Sequence, residues 1–173
     1  MRIAQVAPLY ESVPPHCYGG TERVVSYLTE ELVRQGHEVT LFASADSITR
    51  ANLEPMVPRA LRLDRTCIDP VPHHVLMIEK VAQMAHAFDV VHFHIDCLHF
   101  PTARSLGVAH LTTLHGRVDI PDLVPLYDEF YDLPLVSISN NQRAPLPSVN
   151  WRATVYHGLP PHQYPFQRRA GDY

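Results

Sequence analysis

The chain has 173 residues, 46% of them hydrophobic and 18% charged, so it can bury the core of one domain without disulfides or a structural metal. A formal net charge of -4 argues against a nucleic-acid partner, and no apolar run reaches the ~20 residues of a membrane span. Three scattered cysteines favour a reducing compartment, so we expect a cytoplasmic protein.

Short apolar runs alternate with amphipathic segments along most of the chain. The predicted helix over 21–35 begins at Thr21 as N-cap and stops at Gly36. In chain order we predict strands over 3–7, 38–43, 60–63 (a weak candidate), 89–94, 110–115, 134–139 and 152–157, and helices over 21–35, 74–88, 101–106 and 121–131. Strand–helix–strand order with short links predicts an α/β fold, a parallel sheet with helices on both faces.

A glycine pair opens the first predicted helix. Gly19 and Gly20 precede Thr21, where backbone N–H groups and the helix dipole favour an anion such as phosphate. The structural alternative is a loop that needs a positive φ at one glycine.

A histidine-rich segment follows the strand over 89–94. His92, His94, Asp96 and His99 have the residue types of a zinc site, which leaves a metallohydrolase open as one hypothesis. Strand alternation puts His92 and His94 on one face, so they could equally line a cleft or pack.

Another histidine, His115, ends the strand over 110–115 and is followed by Gly116. Ligands of open α/β sheets bind at the carboxyl ends of strands, where a histidine can meet hydroxyls or phosphate. The alternative is a histidine that caps a turn. Glu22 and Glu30, separated by seven residues on the first helix, are explained by a solvated helix face.

Taken in order, six segments resemble the N-terminal domain of a retaining GT-B glycosyltransferase of the group 1 type, family GT4. They are RIAQVAP, YGGTERVVSYLTEELVRQGHEVTLFAS, FDVVHFH, TTLHG, LVSISNNQR and VYHGLP. The resemblance implies a Rossmann-like domain, one half of a GT-B fold, with acceptor-side residues 1–160 and an interdomain linker starting over 161–173. The C-terminal donor domain would lie outside this chain.

The resemblance also implies roles for individual residues. His115 would be the catalytic residue beside the reacting sugar. The implied substrate-binding residues are Gly19, Gly20, His94, Asp96, Gly116, Ser139 and Asn140. The family's E-x7-E motif lies in the other domain, so Glu22 and Glu30 do not inherit its role. The family more often has Asn-Gly where this chain has His157-Gly158, which puts a site role for His157 in doubt.

The implied function is transfer of a sugar from a nucleotide-diphosphate sugar to an acceptor hydroxyl, with retention and without a metal or other cofactor. The chain alone is expected to be inactive and to self-associate through its uncovered cleft face. The alternatives are a sugar-nucleotide epimerase of GT-B architecture, the metallohydrolase above, and a non-catalytic binding module.

Overall fold

The computed structural model describes residues 1–161. Its strands are β1 (Arg2–Val6), β2 (Glu38–Ser44), β3 (Asn52–Val57), β4 (Val90–Phe93), β5 (Ala109–Thr113), β6 (Leu135–Ser137) and β7 (Trp151–Thr154). Its α-helices are α1 (Gly20–Arg34), α2 (Val71–Met84), α3 (Phe100–Ala103), α4 (Val124–Glu129) and α5 (Asn140–Arg143), with 3-10 turns at Leu61–Leu63, Ala85–Ala87 and Pro121–Leu123. The predicted linker over 161–173 lies almost wholly outside the described residues.

The seven strands form one sheet in the order β3-β2-β1-β4-β5-β6-β7, and every neighbouring pair is parallel. The chain leaves β1 towards β2 on one side and later places β4 on the other side. This reversal is the topological switch point, where open α/β sheets form a crevice at the carboxyl ends of the strands. The prediction of a Rossmann-like parallel sheet is confirmed.

The two faces of the sheet are covered unequally. On one face, α2 packs on β1, β2 and β4 through an apolar cluster that includes Phe42, Met77 and Phe93, and a second cluster around Phe100 and Tyr127 continues it. On the other face, α1 packs on β1 and β2 through a smaller cluster. Beyond α1, that face of β4, β5 and β6 borders an open groove.

Two local predictions were wrong, and one strand was missed. Helix α1 has Gly19, not Thr21, as its N-cap, because Gly19 adopts a φ of 147° at which the chain turns into the helix. Residues 60–63 contain a 3-10 turn at Leu61–Leu63 instead of a strand, and the true edge strand is β3. The proline within the sequence NLEPMV argues against a strand, because proline has no backbone N–H to donate to a neighbouring strand. It is tolerated in β3 because an edge strand has no further neighbour that needs this donor.

Other local predictions are confirmed. Gly36 follows the end of α1 with a φ of 85°, a left-handed conformation that favours glycine after a helix. Within residues 1–161, no helix is both long enough and apolar enough to span a bilayer.

Candidate functional site

A groove of about 1000 Å³, which we call the α1 groove, lies between α1 and the chain after β7. Its floor is the face of β4, β5 and β6 that α1 leaves uncovered. The floor residues are His92, His94, Leu111, Thr113, His115 and Val136. The walls include Arg23, Val24 and Tyr27 of α1 on one side and Tyr156, His157 and Leu159 on the other.

Five polar side chains, from β1, β4, β5 and the residues just after β4 and β5, join at the groove floor. The register places Gln5 of β1 beside His92 of β4. The Oε1 atom of Gln5 lies 2.8 Å from Nε2 of His94, and Nδ1 of His94 lies 2.9 Å from Nε2 of His115. A side branch places Nε2 of His92 2.8 Å from Oγ1 of Thr113. Same-face residues at the switch point thus form one hydrogen-bonded network.

This network is held neutral by its surroundings. Burial lowers the pKa of His92 to about 4 and that of His115 to about 3, and it lowers the pKa of His94 well below its usual value. Neighbouring imidazoles act in the same direction for His94 and His115. At neutral pH the site therefore offers imidazole hydrogen bonds and no cation from these three residues. His115 is a weak base in this setting and suits hydrogen bonding to hydroxyl groups better than proton abstraction.

The outcome for the glycine pair differs between its two members. Both lie at the carboxyl edge, because α1 runs back from the end of β1 to the start of β2. A Cβ on Gly19 would come within 2.8 Å of Cβ of Pro15, so Gly19 is required by the turn itself. A Cβ on Gly20 would meet no atom within 4 Å, so open space remains for a ligand. These distances do not test a phosphate contact, which stays a prediction for both glycines.

An internal carboxylate already occupies part of the N-terminus of α1. Glu22 is 5% exposed, and its carboxylate accepts hydrogen bonds from the backbone amides of Glu22 and Glu11. Desolvation raises its pKa. The expectation of a solvated helix face is wrong for Glu22, and Glu30 instead accepts hydrogen bonds from Thr49 and Arg50, which tie α1 to the β2–β3 loop. Both glutamates are structural in this fold.

The remaining predicted residues fall into two groups. Asp96, with a φ of 51°, lies near Gly116, since a Cβ built on Gly116 would be 3.9 Å from Oδ1 of Asp96. Both follow strands that floor the groove. Ser139 accepts a hydrogen bond from the backbone amide of Gln142 as N-cap of α5. Asn140 lines a separate depression beside Trp151, so the structure does not bring it into the α1 groove.

Sequence reasoning missed Gln142, which holds the loop after β5 in place. Its Nε2 donates to the carbonyls of Leu114 (3.0 Å) and Gly116 (2.8 Å), while its Oε1 accepts from the amide of Ile138. The glutamine side chain thus fixes the backbone on both sides of His115. The sequence signal that could have identified Gln142 is its position in the segment after β6, two residues beyond Asn140.

His157 lies in the site despite its departure from the family pattern. Its ring stacks on His115 with centroids 5.2 Å apart and planes 19° apart, and it lines the groove. Gln5 was also missed, because a single polar residue within a buried strand is usually read as packing. Its neighbours on β4 and β5 give it partners that the sequence of β1 alone does not reveal.

The proposed metal set is divided between the two faces of the sheet. His92 and His94 face the α1 groove, whereas His99 stacks on Phe93 with centroids 3.8 Å apart and has its Nε2 2.7 Å from Oγ1 of Thr112. Among residues 1–161, no group of three or more His, Cys, Asp or Glu side chains is arranged to hold a metal ion. The geometry does not favour the metallohydrolase hypothesis.

Comparisons with known proteins agree with this architecture. The family model described as Glycosyltransferase Family 4 matches residues 18–156. No curated protein matches the sequence at a significant level.

Several solved structures share the fold. AviGT4, a glycosyltransferase involved in avilamycin A biosynthesis, aligns with a TM-score of 0.62 and 23% identity, covering 95% of this chain and 44% of its own. Sucrose-phosphate synthase from Thermosynechococcus elongatus aligns with a TM-score of 0.61 and 14% identity, covering 90% and 47%. Acinetobacter baumannii MurG aligns with a TM-score of 0.55 and 13% identity, covering 92% and 46%. The chain spans less than half the length of these proteins and matches one half of a GT-B fold.

The contrast between the two glycines gives a matched pair of variants. Gly19→Ala should lower the free energy of unfolding by about 1–3 kcal/mol, because alanine is strained at this φ and its Cβ meets Pro15. Gly20→Ala should stay within about 0.5 kcal/mol of wild type, since its Cβ enters open space. Urea unfolding measures both. Equal destabilisation by the two substitutions would contradict the assignment of the turn to Gly19.

The buried histidines predict a stability that falls in mild acid. Burial lowers the folded-state pKa of His74, His92, His94, His99 and His115. Below about pH 6.5 the unfolded chain therefore binds more protons than the folded chain. The contribution of each neutral histidine to the free energy of unfolding is complete above that pH and is lost as the pH falls towards the folded-state pKa. We expect the free energy of unfolding to fall between pH 7 and pH 5, by up to about 1.4 kcal/mol per pH unit for each histidine.

Urea titrations at several pH values check this expectation, and two variants locate its origin. His99→Gln should reduce the slope, because His99 is fully buried. His86→Gln should leave the slope unchanged, because His86 is exposed. Burial raises the pKa of Glu22 and of Asp96, so these two carboxyl groups make the protein more stable as the pH falls. They are outnumbered by the five histidines, which act in the opposite direction. A stability that is flat or rises between pH 7 and pH 5 would refute the expectation.

Proposed function

The chain belongs to glycosyltransferase family 4, and we propose that it is the acceptor-side half of a transferase. The proposed enzyme transfers a sugar from a nucleotide-diphosphate sugar to an acceptor hydroxyl, with retention at the anomeric carbon. The observation that carries the proposal is the α1 groove, which places a neutral histidine pair at the switch point of the sheet. A second domain would supply the donor site, in keeping with a chain that spans under half of the similar structures.

The groove suits a sugar in size and in chemistry. About 1000 Å³ is ample for a hexose together with part of an acceptor. Nδ1 of His115, which has no hydrogen-bond partner among residues 1–161, and the hydroxyl of Thr113 can meet sugar hydroxyls, and Leu111 and Val136 offer apolar contact. Both ring nitrogens of His94 are already hydrogen-bonded to Gln5 and His115, so His94 supports the site from beneath. We assign His115 as the residue that contacts the reacting sugar.

In the proposed reaction, the acceptor oxygen forms a bond to the anomeric carbon on the face that the diphosphate leaves, as the bond from that carbon to the diphosphate breaks. The proton of the acceptor hydroxyl passes to an oxygen of the departing diphosphate. The diphosphate leaves with the electron pair, and positive charge with N–H dipoles must stabilise it. On this chain, Arg23 is a candidate. It lines the groove, and among residues 1–161 its guanidinium forms no ion pair within 4.0 Å. The open side of Gly20 is the second candidate. We propose no metal or organic cofactor.

Asp96 and Gly116 are proposed to line the acceptor side, with Ser139 supporting them through α5. Asn140 is proposed to help Ser139 hold the loop after β6, since it lines the depression beside Trp151 and not the α1 groove. Three free cysteines remain compatible with the cytoplasmic location that we expect.

His115→Ala, assayed with the donor half present, should lower kcat/KM about 100- to 1000-fold, because it removes hydrogen bonds to a reacting group. Its melting temperature should change little, since His115 lies at the end of its strand and is only partly buried. His86→Ala, on an exposed turn, is the matched control and should retain full activity. Unchanged kinetics with a lowered melting temperature would instead make His115 a structural residue.

The chain on its own should fold but transfer no sugar. All seven strands of the described sheet lie within residues 2–154, so the chain holds a core of its own. Orientation of donor against acceptor supplies roughly 7–11 kcal/mol of a barrier and needs both halves. We also expect the open groove face to favour self-association. The chain is incubated with a panel of nucleotide sugars while hydrolysis and transfer are both scored. Turnover at the rate of an intact enzyme would overturn the half-enzyme proposal.

A further inference from the structure

The hydrogen bonds on the groove floor have a direction, and Gln5 sets it. An amide oxygen can only accept a hydrogen bond. Since Oε1 of Gln5 lies 2.8 Å from Nε2 of His94, that nitrogen must carry the proton. Gln5 is 1% exposed and His94 is 2% exposed, so water does not compete for this contact.

The proton position on His94 determines that on His115. A neutral imidazole with Nε2 protonated has a bare Nδ1, which accepts. Nδ1 of His94 lies 2.9 Å from Nε2 of His115, so Nε2 of His115 must donate. Nδ1 of His115 is then left with a lone pair. It is buried and has no hydrogen-bond partner among residues 1–161.

The side branch of the network is consistent with this orientation of the Gln5 amide. With Oε1 on His94, the amide NH2 group faces Nδ1 of His92 at 3.5 Å. His92 then accepts at Nδ1 and donates from Nε2 to Oγ1 of Thr113 at 2.8 Å. With the amide reversed, Nδ1 of His115 would carry a buried proton without an acceptor, and buried N–H groups without an acceptor are rarer than buried acceptors without a donor. Nδ1 of His115 is the one buried nitrogen or oxygen atom of Gln5, His92, His94 and His115 without a partner in the described part of the chain.

We propose that Gln5 and His94 are positioning residues that hold His115 in the tautomer with the proton on Nε2, so that Nδ1 accepts a hydrogen bond from a substrate hydroxyl. The assignment of the hydroxyl to a sugar rests on the proposed function, whereas the tautomer does not. The low pKa values of His94 and His115, which burial produces, keep both rings in the neutral form that the relay requires.

This tautomer also selects the chemical class of the group that meets His115. A hydroxyl or amide N–H can donate to a lone pair, but a deprotonated phosphate oxygen cannot. An unpaired buried acceptor is unfavourable in the free protein, and a donating ligand relieves that cost. Gly116 follows His115 and leaves space for a ligand beside its Cα, because a Cβ added there would have only Oδ1 of Asp96 within 4 Å. His115 is thus suited to the neutral part of a sugar rather than to its diphosphate.

Nitrogen-15 NMR of histidine-labelled protein tests the tautomer directly. The resonance of His115 among the 12 histidines is assigned with His115→Gln. We expect a protonated Nε2 and a bare Nδ1 near neutral pH, unchanged when inorganic phosphate is added. A proton on Nδ1 in the free protein, or protonation of Nδ1 by phosphate, would overturn the proposal.

Two variants separate the relay from general packing. Gln5→Leu removes the acceptor and should let His115 populate both tautomers. Thr113→Val removes only the partner of His92 and should leave the His115 tautomer as in wild type. An unchanged tautomer in Gln5→Leu would also overturn the proposal. Should Gln5→Leu not fold, the spectrum of the wild-type protein still decides the tautomer.

A kinetic measurement distinguishes this inference from the proposed function. With the donor half present, Gln5→Leu should lower kcat/KM, because only part of the His115 population would keep a bare Nδ1; we expect about 10- to 100-fold, the range seen when outer partners of metal-bound histidines are removed. Absence of transfer by the wild-type enzyme would count against the proposed function. Full activity of a folded Gln5→Leu enzyme would count against the positioning role, whatever the reaction proves to be.

Discussion

The pairing of β1 with β4 is the constraint on which the rest of the site depends. Because the chain leaves β1 on one side and returns on the other, the register brings Gln5 against His92 and the end of β1 against His94. No helix from the described residues covers this part of the sheet on the α1 side. The polar side chains at this part of the sheet bond to one another, and Nδ1 of His115 is the buried atom among them that is left without a partner within residues 1–161.

One face of β4 and β5 contributes to the apolar core and the other lines the groove, because successive side chains of a strand point to opposite faces. Phe93 and Thr112 point towards α2 and α3, where His99 stacks and packing dominates. His92 and Thr113 point into the groove, where hydrogen bonds dominate. A change of one residue in register would exchange the two sets, so the apolar core on one face also fixes the polar site on the other.

Much of this could be predicted from the sequence, because strong periodicity and strand-end histidines are local signals. The buried runs at β1 and β4, the helix α1 and the position of His115 follow from such signals. The edge strand β3 could not be predicted, since an edge strand is exposed on one side and tolerates Pro55. Gln5 and Gln142 act through partners 89 and 26–28 residues away, and no local pattern encodes those contacts.

We propose that the α1 groove holds the sugar against His115. The decisive measurement is a crystal structure of the protein, with the donor half present, bound to a nucleotide-diphosphate sugar. We expect a sugar hydroxyl within about 2.6–3.2 Å of Nδ1 of His115, with the diphosphate away from that atom. A sugar bound elsewhere, for example in the depression beside Trp151, or a phosphate oxygen seated on His115, would contradict it.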